Sequence, residues 1–405
     1  MITEPKGNEH SQSAPTSSRR RRHVLAFLLL GSLGLAFAGQ FYFASRRQYL
    51  LDGVVLYALA AILFALVVRF LERLPTREQS WIGNLWLLLS TKPVRAAMTV
   101  VALLLAVSAG RYAVAEPPPV SFSTAVVQWV IAGALAVGAQ LPPLVTWRQW
   151  LARLGPWVQA HWLELVAVVL WLLIAGVLRI WQLEQIPYPL SGDEAEMGLH
   201  ARSVLTGDLR NPFATAWLSH PTMWYFWMFR FMAVFGTGVV GLRLMSAVIG
   251  TITVVTLYLL ARHMFGVAVA QIAAALLSTY AFHIHFSRQG LNNVTDPWLA
   301  PLVFFFLDRG VRGNNRLSMA LGGVALGLMQ YGYLGSRVVP VIIAAYLLYL
   351  LLTEHDFLGR HWRGLAVFAI NTLVVAMPLL FWYNRHRGEF MARLSNIGIF
   401  QSGWI

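Results

Sequence analysis

Pro187-Tyr188-Pro189-Leu190-Ser191-Gly192-Asp193-Glu194-Ala195-Glu196 follows directly on a long apolar run and holds three of the chain's seventeen carboxylates within four residues. Ser191 with Glu194 three positions on is the spelling of a capping box. A helix is therefore expected to start here, with Asp193 in its first turn and Glu196 on the same face. Capping and dipole complementation alone would account for Glu194 and Glu196. Asp193 differs, because it stands where an apolar span should leave the lipid. Ionisable groups at that depth are costly and usually face a cavity or a partner.

Around this stretch the composition sets the class. Of the 405 residues, 58% are hydrophobic and 12% charged, sixteen are Trp, and several apolar runs reach membrane-spanning length. Such a chain reads as an all-α polytopic membrane protein. The formal charge of +14 would suggest nucleic acid in a soluble protein. Here Lys and Arg fall mostly in short loops between apolar runs, where they orient helices, so no nucleic acid is implied. The absence of cysteine excludes disulfides, thiolate metal sites and a Cys nucleophile.

Residues 1–23 are polar and end in Arg19-Arg20-Arg21-Arg22, as expected of a disordered cytoplasmic tail before a membrane anchor. Apolar runs at 24–44, 49–71, 96–115, 123–145 and 162–182 each suffice for a ~30 Å hydrocarbon core. The basic loops 72–95 and 146–161 belong inside and the Pro-rich 116–122 outside, while Arg46 and Arg47 break the pattern. This divides the chain into the tail, a four-span extension (24–160) and a main membrane domain (161–405). The span ending near Trp181 then leads outward, to a large external loop at 196–240 with helices along the membrane surface; 222–236 could instead be a short or re-entrant span. Further spans at 242–262, 266–285, 296–307, 317–332, 338–352 and 365–383 bring the total to about eleven. The final stretch ends without an obvious stop, which leaves a truncated C-terminus open.

This alternation gathers Asp193, Glu194, Glu196, His220, Arg243, Arg288, Asn292, Asn293, Asp296, Tyr331, Tyr333 and Arg337 on one external face. Carboxylates mixed with arginines suit a reaction that removes a proton from one partner and stabilises an anionic, phosphate-bearing leaving group on the other. Each residue also has a plainer reading: the arginines as interfacial snorkelers, His220-Pro221 as a turn, the tyrosines as an aromatic belt.

In order and spacing, Gly192-Asp193-Glu194, His220-Pro221, Gly241-Leu242-Arg243, Phe286-Ser287-Arg288 with Asp296, and Tyr331-Gly332-Tyr333 with Arg337 resemble the membrane glycosyltransferases of GT-C fold. The nearest branches are the protein O-mannosyltransferase and aminoarabinose-transferase-like group. The resemblance covers about 160–400 and implies a GT-C-like bundle with a large external first catalytic loop. It also implies a polyprenyl-phosphate sugar donor, an acceptor that is protein, lipid or glycan, inversion at the anomeric centre, and a site on the extracytoplasmic face of the cell membrane.

Carried over, Asp193 is the base, Glu194 its acceptor-side neighbour and Asp296 the second carboxylate. Arg243, Arg288 and Arg337 would meet the lipid phosphate, and Glu196, His220, Asn292, Tyr331 and Tyr333 the substrates. Some relatives carry a divalent metal, which an oxygen pair such as Asp193 with Asp296 could hold, although two ligands do not make a site. The chain departs from the family in having Thr222 where a second proline often follows, and in its four early spans. The rival from another class is a secondary transporter or channel. Against it stand the gathering of polar groups at one face and the lack of an inverted repeat.

Overall fold

The computed structural model describes residues 16–45, scattered positions between 55 and 67, and residues 92–142, 144–390 and 392. Two compact units emerge. One comprises Met1–Ala97 with Pro142–Thr146, the other Met98–Leu141 with Trp147–Ile405. The first contains α1 (Thr16–Ser45), which includes Arg19–Arg22, so the basic run expected in a disordered tail is helical. Within it Ser32 Oγ donates to Ala60 O at 2.8 Å. Most of the span expected at 49–71, and the loop with Arg46 and Arg47, lie outside the described residues.

The chain continues through α2 (Lys92–Ala113), α3 (Ser123–Gly138), α4 (Leu144–Ala160) and α5 (Trp162–Ile180). The stretch expected as a basic loop at 146–161 is thus mostly helical. The second unit goes on with α6 (Gly192–Thr206), α7 (Met223–Phe235), α8 (Val239–Phe265), α9 (Val267–Thr279) and α10 (Ala281–Ser287). It closes with α11 (Thr295–Arg312), α12 (Arg316–Met329), α13 (Val339–Thr353) and α14 (Phe357–Arg385).

Five described segments are long and apolar enough to cross a membrane: α2, α5, α8, Leu334–Thr353 and α14. The α9–α10 pair, bent by 58°, makes a sixth if counted as one broken span. The expected eleven is not reached. Helices α7 and α12 have 13 and 14 residues, or about 20 Å at ~1.5 Å per residue. The span expected at 296–307 falls in α11, whose ends carry Asp296, Asp308, Arg309 and Arg312.

Contacts at the ends of α8 fix the direction of the chain. At its C-terminal end Arg262 pairs with Glu164 of α5, and His263 Nε2 lies 2.9 Å from Asp308 Oδ2 of α11. At its N-terminal end Ser246 Oγ donates to Leu291 O, just before α11, at 3.1 Å. Arg243 and Arg262, about 28 Å apart along α8, therefore mark two opposite ends of the bundle. Helices α8 and α11 run parallel, with α9–α10 as the return.

Both ends of α7 lie at the Arg243 end. Asn292 Nδ2, near the start of α11, donates to His220 Nδ1 at 3.0 Å, just before α7. After α7, Gly236 has φ +94°, and a Cβ on Gly241 would meet its carbonyl oxygen at 1.9 Å. Only glycine closes so tight a corner. Helix α7 therefore does not cross the bundle, and Asp193, His220, Asn292, Asp296 and Gly332 gather at one end.

Helices α12 and α14 approach closely, since a Cβ on Gly323 would stand 2.3 Å from Phe368 O. Small residues let helix backbones meet without a hydrophobic driving force. Most of α2, and α3, also pack into this unit: Trp129 Nε1 donates to Val375 O at 2.7 Å and Asn211 Nδ2 to Ala113 O at 2.8 Å. Residues 98–141 of the expected extension are thus part of the main bundle.

Candidate active site

Ser191 caps α6 as its spelling requires, its Oγ accepting the Glu194 N–H at 3.2 Å. Glu194 then turns inward and is fully buried. Arg243 Nε and Nη2 donate to its two carboxylate oxygens at 2.6 and 3.0 Å, and Gly290 N–H donates to Oε1 at 2.9 Å. A bidentate fork with a third donor is what a buried carboxylate needs to offset its desolvation. One side chain thereby ties α6 to α8 and to the loop before α11.

Arg243, 1% exposed, spends its remaining contacts on Leu183 O and Pro187 O, both at 3.0 Å. Arg288 donates to four carbonyls: Leu178 and Trp181 at 2.6 Å, Ile186 at 3.1 Å and Gln182 at 3.2 Å. Two cations thus hold the C-terminal end of α5, where unpaired carbonyls and the helix dipole favour positive charge. The segment between α5 and α6 is pinned, and Asp193 leaves it exposed, with no hydrogen bond or ion pair among the described residues.

A second group lies where the 3₁₀ turn Asn292–Val294 meets the turn Leu334–Val338. Asn292 Nδ2 donates to Gly332 O at 3.2 Å as well as to His220 Nδ1. A carbonyl only accepts, so the amide orientation is fixed. His220 Nδ1 must then be the acceptor, which makes the ring neutral with its proton on Nε2. The imidazole stacks between Trp217 and Tyr333, with centroids 5.7 and 6.3 Å away. Thr295 Oγ1 accepts the Tyr333 N–H at 3.0 Å and locks the two turns together. Asp296 opens α11, outside the long apolar spans. Its Oδ1 is buried without a hydrogen bond, and burial pushes its carboxyl up to about 7.

The other expected residues fall into place around these two groups. Glu196 lies 3.6 Å from His200, one turn along α6. Arg337 donates to Tyr383 OH at 2.8 Å and to Phe390 O, its guanidinium over both rings. Tyr331, expected at the substrate, is fully buried and donates to Val375 O at 2.9 Å. It is a core residue, because the chain turns it toward α14 while Tyr333 faces His220. No hydrogen bond or ion pair joins Asp193 to Asp296. Among the described residues no three His, Asp or Glu side chains stand together as a metal would need, so the residues present do not fit a divalent ion.

Arg179 escaped notice in the sequence, where a lone Arg in the last turn of a span looks like a snorkeler. It is fully buried and donates to Leu277 O and Ser278 O, both at 3.0 Å, and to His283 Nδ1 at 3.0 Å. It thus satisfies carbonyls at the α9–α10 bend. This is one broken helix, whereas transporters of repeated design use them in pairs.

Residues 219–382 match the family model described as dolichyl-phosphate-mannose-protein mannosyltransferase. No curated protein and no solved structure matches the chain. The matched segment begins beside His220 and takes in Arg243, Arg288, Asn292, Asp296, Tyr333 and Arg337, with Asp193 and Glu194 preceding it. On an all-helical bundle with several membrane-length helices, this match supports a membrane glycosyltransferase of the GT-C group.

Proposed function

We propose that the chain transfers a sugar from a polyprenyl-phosphate donor to a protein, lipid or glycan acceptor, with inversion, on the extracytoplasmic face of the cell membrane. The observation that carries the reading is the division of labour in one dipeptide. Glu194 is locked by Arg243 and Gly290, while Asp193 is held beside it, exposed and unpaired. A free carboxylate on a rigid mount is what a general base requires.

Asp193 takes the proton of the acceptor hydroxyl or amine as that atom bonds to the anomeric carbon. The bond from that carbon to the phosphate oxygen breaks, and its electron pair leaves on polyprenyl phosphate. The sugar passes through an oxocarbenium-like state. Of the three arginines expected at the phosphate, Arg243 and Arg288 are committed to Glu194 and to backbone carbonyls. Arg337, half-buried and without a carboxylate partner, is the cation that suits the leaving group. The apolar helix faces would accept the polyprenyl tail.

The test is a transfer assay in proteoliposomes, with dolichyl-phosphate-mannose and other polyprenyl-phosphate sugars as donors. Release of polyprenyl phosphate matched to sugar transfer is expected, and Arg337→Ala should raise the KM for donor about tenfold or more. Absence of transfer from every donor would overturn the proposal.

A further inference from the structure

Three oxygens in the second group lack partners among the described residues: Asn293 Oδ1, Asp296 Oδ1 and Ser336 Oγ, all buried. Buried polar atoms are rarely left so, and three together need an explanation. They share one location. Asn293 and Asp296 are three residues apart, across the turn into α11. Asp296 Oδ2 stands 3.0 Å from where a Cβ on Gly335 would sit, and Ser336 is the next residue. Ser336 itself is 1% exposed. Tyr333, stacked on His220, supplies an aromatic wall.

The chemistry of the vacancy follows from the inventory. The Asn293 oxygen only accepts, an ionised Asp296 only accepts, and Ser336 does either. The missing partner must therefore donate several hydrogen bonds. A metal ion is disfavoured, since no third carboxylate or His stands near. A compact neutral group with several hydroxyls, one face against an aromatic ring, satisfies all three atoms.

We propose that Asn293, Asp296 and Ser336 form the subsite that grips hydroxyl groups of the transferred sugar, with Tyr333 beside the sugar ring and Gly335 leaving room. The proposal rests on the glycosyltransferase reading above. It gives Asp296 a task distinct from that of Asp193: Asp296 selects and holds the sugar, whereas Asp193 acts on the acceptor.

The test compares the affinities of protein in nanodiscs for dolichyl-phosphate-mannose, dolichyl-phosphate-glucose and sugar-free dolichyl phosphate. Wild type should bind one sugar-bearing lipid more tightly than the sugar-free lipid. Asp296→Asn and Ser336→Ala, both close in shape to the originals, should each weaken that binding roughly tenfold and leave dolichyl phosphate unaffected. Equal weakening for all lipids would reveal a structural role, and no weakening would mean that the three oxygens hold only water; either result overturns the subsite. If wild-type protein transfers sugar while the variants bind as it does, the subsite alone fails. If wild type neither discriminates the lipids nor transfers sugar, the underlying functional reading falls with it.

Discussion

Replacing Glu194 with Ala removes the carboxylate that receives two donors from Arg243 and one from Gly290. Arg243 would stay charged and 1% exposed, keeping only its contacts to Leu183 O and Pro187 O. Breaking a buried pair by deleting one partner costs about 3–5 kcal/mol, because the other charge is left uncompensated. For a unit of this size, ~2–4 °C per kcal/mol places the expected fall in melting temperature at roughly 6–20 °C, read from detergent-solubilised protein. The sharper readout is a double-mutant cycle. Glu194→Met with Arg243→Leu removes both charges and should be markedly more stable than the sum of the single losses implies. A fall under about 2 °C for Glu194→Ala, or additive effects in the cycle, would refute the argument that this pair clamps α6 to α8.

The Asp296 carboxyl moves from an ordinary 3.8 to about 7 by burial. It ionises in the unfolded chain well before it does in the folded one, so its cost to stability grows as pH rises from about 4 to 7 and approaches ~4 kcal/mol at most. Asp296→Asn should accordingly stabilise the protein more at pH 8 than at pH 4, and an equal effect at both pH values would contradict the buried, unpartnered carboxyl. Gly323→Val places side-chain atoms where a Cβ already meets Phe368 O at 2.3 Å. Helices α12 and α14 must separate, at a cost of about 1–3 kcal/mol or more, and an unchanged melting temperature would show that they are not so closely packed.

The start of α6 was legible because a capping box is local. Ser191 meets the N–H three residues on, and Gly207 ends the helix at φ +82°. That Glu194 and not Asp193 goes inward was not legible, since its partners lie 49 and 96 residues away. The same distance hid the work of Arg243 and Arg288, which read like interfacial arginines until the carbonyls ending α5 are placed against them. Span counting overshot, because hydrophobicity marks burial in protein as well as in lipid, and short helices such as α7 and α12 satisfy the first. The chain alternation still put His220, Asn292 and Asp296 at one end correctly, because α8, α9–α10 and α11 each reverse direction as their patterns imply. Ser336 gave no signal, as a serine's significance depends on whether its hydroxyl finds a partner.

The central claim, that Asp193 is the base mounted on a Glu194 clamp, is tested most directly by Asp193→Asn. Asn retains size and capping ability at the first turn of α6, so any stability change should stay within about 1 kcal/mol. Loss of a general base should lower the rate by ~10²–10⁴-fold. The measurement is turnover of a polyprenyl-phosphate sugar by the purified variant beside its melting temperature. The account predicts a near-normal melting temperature with transfer reduced at least a hundredfold, and near-normal turnover by a well-folded Asp193→Asn protein would contradict it.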